Sequence, residues 1–109
     1  MARFNFRLEP VLKCRIVKEE QKILALAQAQ REEEEREEQL KVATAEYLES
    51  LQEGGRTLWE LQQWAYYRDL LRQQVKDKAS ELDVAAARVA DCRLELLDAR
   101  QERLTVESV

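Results

Sequence analysis

Apolar side chains recur along this chain in alternating steps of three and four, in two long stretches parted by a short break. That spacing places them in one stripe on each of two helices, the pattern of a coiled coil. The first stripe runs Leu12, Ile16, Glu19, Ile23, Leu26, Gln30, Glu33, Glu37, Leu40, Thr44, Tyr47, Leu51. It is apolar at its ends and polar in its middle. The second is cleaner: Leu61, Trp64, Arg68, Leu71, Val75, Lys78, Leu82, Ala85, Val89, Cys92, Leu96, Ala99, Arg103. Between them lies Gly54-Gly55, the only glycines in the chain. The expected fold is all-α: a single antiparallel two-helix coiled-coil hairpin that turns at Gly54-Gly55. Residues 1–109 form one domain on this reading, with helices over about 8–53 and 57–105.

Local signals set the ends. Pro10 is tolerated in a first helical turn, so the first helix is expected to begin between Arg7 and Val11. A glycine just past a helix end takes the left-handed conformation at little steric cost, which suits the stop at Gly54-Gly55. Thr57-Leu58-Trp59-Glu60 reads as a capping box that restarts the chain, Thr57 accepting from the Glu60 N–H and Glu60 reaching back. With the turn centred near Gly55, facing residues have numbers that add to about 112. Ile16 then meets Leu96, Ile23 meets Val89, Leu26 meets Ala85 or Ala86, Leu40 meets Leu71, Leu51 meets Leu61, and Glu33 falls opposite Lys78. The same rule sets Leu8 across from Leu104, so the hairpin uses the whole chain, with arms of ~70 Å.

Composition narrows the function. Aromatics are 6% and charged residues 37%, which suits a long coiled coil better than a thick globular core. The net charge of -4 mixes both signs and leaves no basic stripe for a nucleic-acid backbone. The exception is the run Arg31 to Glu38, either a solvated face or an acidic docking patch for a basic partner. The chain has no histidine, no phosphate-binding glycine loop and no cleft to perturb its carboxylates. No catalytic, cofactor-binding or metal-binding residue is therefore assigned. Cys14 and Cys92 are expected to be reduced thiols, because the register sets them too far apart for a disulfide. No apolar run could span a membrane, and the N-terminus has no signal-peptide h-region. A cytoplasmic location is expected.

Two features stand outside the stripes. Trp59, Trp64, Tyr66 and Tyr67 crowd the start of the second helix. They read either as tip packing against Tyr47, Leu48 and Leu51 or as an anchor for another protein. The opening Phe4-x-Phe6-x-Leu8-x-x-Val11-Leu12 reads as a frayed end that packs on Leu104 and Val106, or as a hook for a partner groove or a membrane surface, for which Arg3 and Arg7 alone offer charge.

The opening Phe4-x-Phe6-x-Leu8-Glu9-Pro10-Val11-Leu12-Lys13-x-Arg15, with the Glu/Gln/Ala-rich helix behind it, resembles the start of the FliJ family of flagellar (type III) export proteins. Leu61-x-x-Trp64-x-x-Tyr67-x-x-Leu70-Leu71-x-x-x-Val75 is similar to the beginning of that family's second helix. The resemblance implies a coiled-coil stalk, similar to the central stalk of rotary ATPases, that links a hexameric export ATPase to the cytoplasmic domain of the export gate. It also implies handling of export chaperones and peripheral association with the inner-membrane apparatus. The open end, with Phe4, Phe6, Leu8 and Leu12, would contact the ATPase. The tip half, with Gln39, Leu40, Tyr47, Trp64, Tyr67, Leu71 and Val75, would contact the gate. Members usually continue for several often basic turns after the second helix, whereas this chain stops at Val109. A shortened form, a short member and a relative from a virulence secretion system all fit that departure. A generic coiled-coil adaptor of another assembly is the alternative. A stalk of a rotary ion-pumping ATPase is disfavoured, since Gly54-Gly55 leaves no room for a globular insertion.

Overall fold

In a computed structural model the backbone is described for residues 2–52 and 54–108, and the side chains for residues 8–52 and 54–108. Two helices account for nearly all of it: α1 (Ala2–Gln52) and α2 (Leu58–Ser108). The expected all-α hairpin coiled coil is the observed fold. Helix α1 starts well before the window between Arg7 and Val11, so Pro10 lies inside it rather than in its first turn. One intrahelical hydrogen bond, the one the Pro10 nitrogen cannot donate, is missing there. The side chains of Phe4 and Phe6 lie outside the described residues.

The chain divides into two compact units. One is the tip unit, Glu32–Ala86, which holds the turn; the other is the open unit, Met1–Arg31 with Ala87–Val109.

In the tip unit the restart follows the expected box. Thr57 Oγ1 accepts from the Glu60 N–H at 3.1 Å, and the Thr57 carbonyl accepts the first helical bond from the Leu61 N–H at 3.0 Å. The Glu60 carboxylate reaches back to the Arg56 N–H at 2.8 Å and more weakly to that of Thr57 at 3.5 Å. Two orphan donors are satisfied this way. The glycines act differently from expectation. Among the described residues none, glycine included, has a positive φ. Gly55 is required for space: a Cβ there would stand 2.1 Å from the Glu60 Cβ. At Gly54 an added Cβ meets only the Arg68 guanidinium, at 3.8 Å.

Cross-helix bonds give the register. In the tip unit Arg36 donates to Glu81 at 3.2 Å, Lys78 to Gln39 at 3.4 Å, and Arg68 Nε to the Ser50 carbonyl at 2.9 Å. Facing numbers thus add to about 117, not about 112. The expected partners Leu40–Leu71, Leu51–Leu61 and Glu33–Lys78 are therefore not level. The cause is an asymmetric turn. The first two turns of α2 extend past the last turn of α1, and residues 54–57, bent at Arg56 and Thr57, lie between the helices. Leu51 and Leu61 are both exposed as a result.

The open unit keeps the same spacing. Arg15 donates to Glu102 at 2.6 Å, and Lys22 to Glu95 at 3.1 Å. This register replaces the expected Ile16–Leu96 and Ile23–Val89 pairs. On α2 the seam is the expected one from Trp64 through Arg103, each residue buried or half-buried. On α1 half of it is. Leu12, Glu19, Leu26, Glu33, Leu40 and Tyr47 face inward, but the alternate column is Arg15, Lys22, Ala29, Arg36, Ala43 and Ser50. The expected Ile16, Ile23, Gln30, Glu37 and Leu51 stand one residue further round, exposed to solvent.

The core is thin. Its buried apolar residues are Ala29, Ala43, Leu71, Ala85, Val89, Leu96 and Ala99. Alanine at four of these lets the helices approach closely but gives little apolar area to bury.

Candidate functional site

Exposed aromatic side chains gather at the tip of the tip unit. Glu60, Gln63, Trp64 and Tyr67 follow one another at helical spacing, so they share a face of α2 with Trp59 alongside. Together these five line an open, shallow apolar groove. Trp64 and Tyr67 meet edge to face, their ring centroids 5.6 Å apart and their planes at 77°. That geometry suits the aromatic quadrupoles. Trp59 is 68% exposed, and Tyr66, Tyr67 and Leu70 are exposed too. Trp59 lies on the overhang of α2, level with no part of α1, whereas Tyr66, Tyr67 and Leu70 lie level with the end of α1 but off the seam of α2. Of the packing partners expected for the cluster, Leu48 and Leu51 are exposed and Tyr47 is half-buried.

Beneath the groove the two helices are tied together. Arg68 occupies a seam position and donates to the Ser50 carbonyl, one of the unpaired carbonyls at the end of α1. Helix α1 has no basic residue in its own last turn, so α2 supplies the cap. Ser50 is buried, and its hydroxyl donates to the Tyr47 carbonyl at 2.6 Å. Arg72 is held in its charged form above the ordinary guanidinium range, first by a hydrogen bond with Tyr47.

The expected gate-contacting residues divide by this geometry. Trp64 and Tyr67 are brought together at the groove. Gln39 is exposed and accepts from Arg36 at 3.2 Å as well as from Lys78. Leu40, Tyr47 and Val75 are half-buried in the seam, and Leu71 is buried there. Leu71 is thus a packing residue of the isolated chain. Trp59, Tyr66 and Leu70 were absent from the expected set. Their spacing of seven and then four residues places them on one outer face, a signal readable once the seam is known.

At the open end Leu8 and Leu12 are half-buried on the seam side of α1. Charged pairs fill the adjoining levels. Glu19, its side chain 13% exposed, accepts from Arg100 at 3.4 Å and from Arg103. Glu102 accepts from Arg15 and, at 3.0 Å, from Lys18. The Lys18 hydrogen bond, against a smaller desolvation effect and helped by the Lys18 and Arg15 charges, holds the Glu102 carboxyl below its usual range. Glu19 and then Glu107 push Arg103 further toward its charged form. Cys14 is exposed and Cys92 half-buried in the seam; neither is in a disulfide.

Among the described residues no helix is long and apolar enough to cross a membrane, and no group of His, Cys, Asp or Glu could hold a metal ion. No curated protein and no solved structure matches the chain. The family model described as flagellar FliJ protein matches residues 4–109. That match spans both helices and the turn. The chain belongs to the flagellar FliJ protein family, which makes it a flagellar export-related protein.

Proposed function

We propose that this protein is the coiled-coil stalk that links the hexameric export ATPase to the cytoplasmic domain of the export gate and assists export chaperones. It acts in the cytoplasm, associated peripherally with the inner-membrane export apparatus. Family membership carries this reading. The exposed aromatic groove beside a capped, rigid turn supports placing the gate contact at the tip. Trp64 and Tyr67 are its anchors, since large aromatics in a partly desolvated groove supply most of an interface's binding energy. Gln39 is available beside Lys78, whereas Leu40, Tyr47, Leu71 and Val75 act by holding the helix beneath the rings. Phe4, Phe6, Leu8 and Leu12 serve the ATPase at the open end.

The test is co-purification from cytoplasm with the intact chain and with Trp64→Ala/Tyr67→Ala. The intact chain is expected to recover both the ATPase and the gate domain. The double variant loses the gate domain by tenfold or more and keeps the ATPase, as losing two anchors worth about 1–2 kcal/mol each implies. Equal recovery of the gate by both would remove the tip assignment. Recovery of neither partner by the intact chain would favour a generic coiled-coil adaptor.

A further inference from the structure

The open unit reverses the usual arrangement of a coiled coil. Charged residues hold seam positions, with Arg15 and Lys22 on α1 and Arg103 on α2. Beside them, one residue round the helix, Ile16 and Ile23 are 37% and 43% exposed. A rotation of α1 by one residue would bury both isoleucines and free both cations. The Arg15–Glu102 and Lys22–Glu95 ion pairs offset part of the lost gain, but the two isoleucines stay at the surface, and an apolar pair held out of the seam points to a function elsewhere.

The flank that carries these isoleucines is ordered. In an antiparallel pair, residues just after the second seam position on each helix share one side. On α1 these are Ile16 and Ile23; on α2 they are Arg93 and Arg100, with Leu97 and Leu104 next outward. Each pair is spaced by one heptad. Leu97 and Leu104 are both 53% exposed. Ala90 continues the line with a small side chain. The opposite side of the seam is closed by Lys18–Glu102 and Lys22–Glu95. On the open flank, among the described residues, one such bridge runs from Arg100 to the seam residue Glu19. Arg93 makes no hydrogen bond or ion pair with any described residue. Arg100 is tied only toward the seam, to Glu19.

We infer that this flank of the open unit is the vacant third position of a three-stranded coiled coil, and that it takes one amphipathic helix of a partner protein, apolar at alternating three- and four-residue steps and acidic at heptad spacing. The apolar ladder Ile16, Ile23, Leu97, Leu104 would seat the partner's apolar stripe. Arg93 and Arg100, one heptad apart, would meet carboxylates with the same repeat, which fixes sign and register. A second copy of this chain fits less well: its own acidic run, Glu32 to Glu38, lacks apolar residues at the required spacing. Two heptads of partner helix, about 21 Å, cover the ladder. The inference does not depend on the tip groove.

The test uses the full chain and two synthetic 21-residue helical peptides. Both carry leucine at the two seam positions; the flanking positions are glutamate in one and lysine in the other. Binding is followed by fluorescence anisotropy, with sedimentation of the chain alone alongside. The glutamate peptide is expected to bind at least tenfold more tightly than the lysine peptide. Ile23→Asp weakens it tenfold or more, and Arg93→Glu reverses the preference between peptides. Both sites are exposed, so helicity by circular dichroism stays unchanged and separates lost binding from lost folding. Equal binding of the two peptides, or none, overturns the inference. So does a dimer of the chain alone that Ile23→Asp dissolves, since the flank would then belong to a second copy.

Discussion

At the residue scale Gly54, Gly55 and Arg68 decide how the turn is built. Gly55 is there because the Glu60 Cβ and backbone leave no space, while Gly54 faces only a flexible guanidinium. Gly55→Ala should therefore cost about 1–3 kcal/mol through forced displacement of Glu60, and Gly54→Ala should stay within about 0.5 kcal/mol of the parent. Thermal melts of the two variants check the contrast. Arg68 looks like a flaw in an apolar stripe, yet it caps the Ser50 carbonyl across the hairpin. Arg68→Met should lower stability by about 1–2 kcal/mol by leaving that carbonyl unpaired, despite a gain in apolar character at the seam. Urea unfolding measures this as a lower midpoint at constant slope.

Glu102 sets a pH dependence. Its carboxyl binds a proton less readily folded than unfolded, because of Lys18 and Arg15. Its contribution is thus complete above the unfolded carboxylate pKa and is lost as pH falls through the depressed folded value. Glu102→Gln should lower the melting temperature at pH 7 and narrow the drop between pH 7 and pH 3. The side chain is more than a third exposed, so 1 M salt should shrink the difference between variant and parent. An equal pH response in both would remove Glu102 from the cause.

At the element scale the helices themselves were legible and their phase was not. Two uninterrupted three-four patterns, a double glycine and Thr57-x-x-Glu60 were enough to foresee both helices, the stop and the restart. Every seam residue of α2 from Trp64 through Arg103 could be read, because Val75, Val89, Leu96 and their neighbours leave only one consistent stripe. In α1, Ile16 and Ile23 drew the eye to one side of the true column, which holds Arg15 and Lys22. The reason is physical: a flank position lies only about 100° from a seam position, and the column between them is built from alanine, serine and long cations. Apolar periodicity cannot see alanine well, yet Ala29 and Ala43 are among the most buried residues. Close packing at Ala29 gives a direct check. Ala29→Leu should destabilise by about 1–3 kcal/mol through overpacking, whereas Gln30→Leu, at the exposed position taken for seam, should change stability by less than about 0.5 kcal/mol.

At the scale of the whole molecule the register was the part hidden from the sequence. A symmetric turn was the simplest assumption, and it placed facing residues about five positions out. The asymmetry arises from contacts that no propensity encodes, namely Gly55 against Glu60 and Arg68 against Ser50. It matters for function, since the overhang it creates carries Trp59 past the end of α1. The family could be foreseen from Phe4-x-Phe6-x-Leu8 and the Trp64-x-x-Tyr67 progression, and the match over residues 4–109 bears that out.

Register is tested most directly by paired cysteines in a background with Cys14→Ser and Cys92→Ser. In the open unit Ala29 and Val89 are both buried and fall level, whereas a symmetric turn would set Ile23 opposite Val89. Mild oxidation of Ala29→Cys/Val89→Cys should close an intramolecular disulfide rapidly and in high yield, and Ile23→Cys/Val89→Cys should not. Preferential closure of the second pair, or covalent dimers alone from the first, would mean that the helices do not meet in this way.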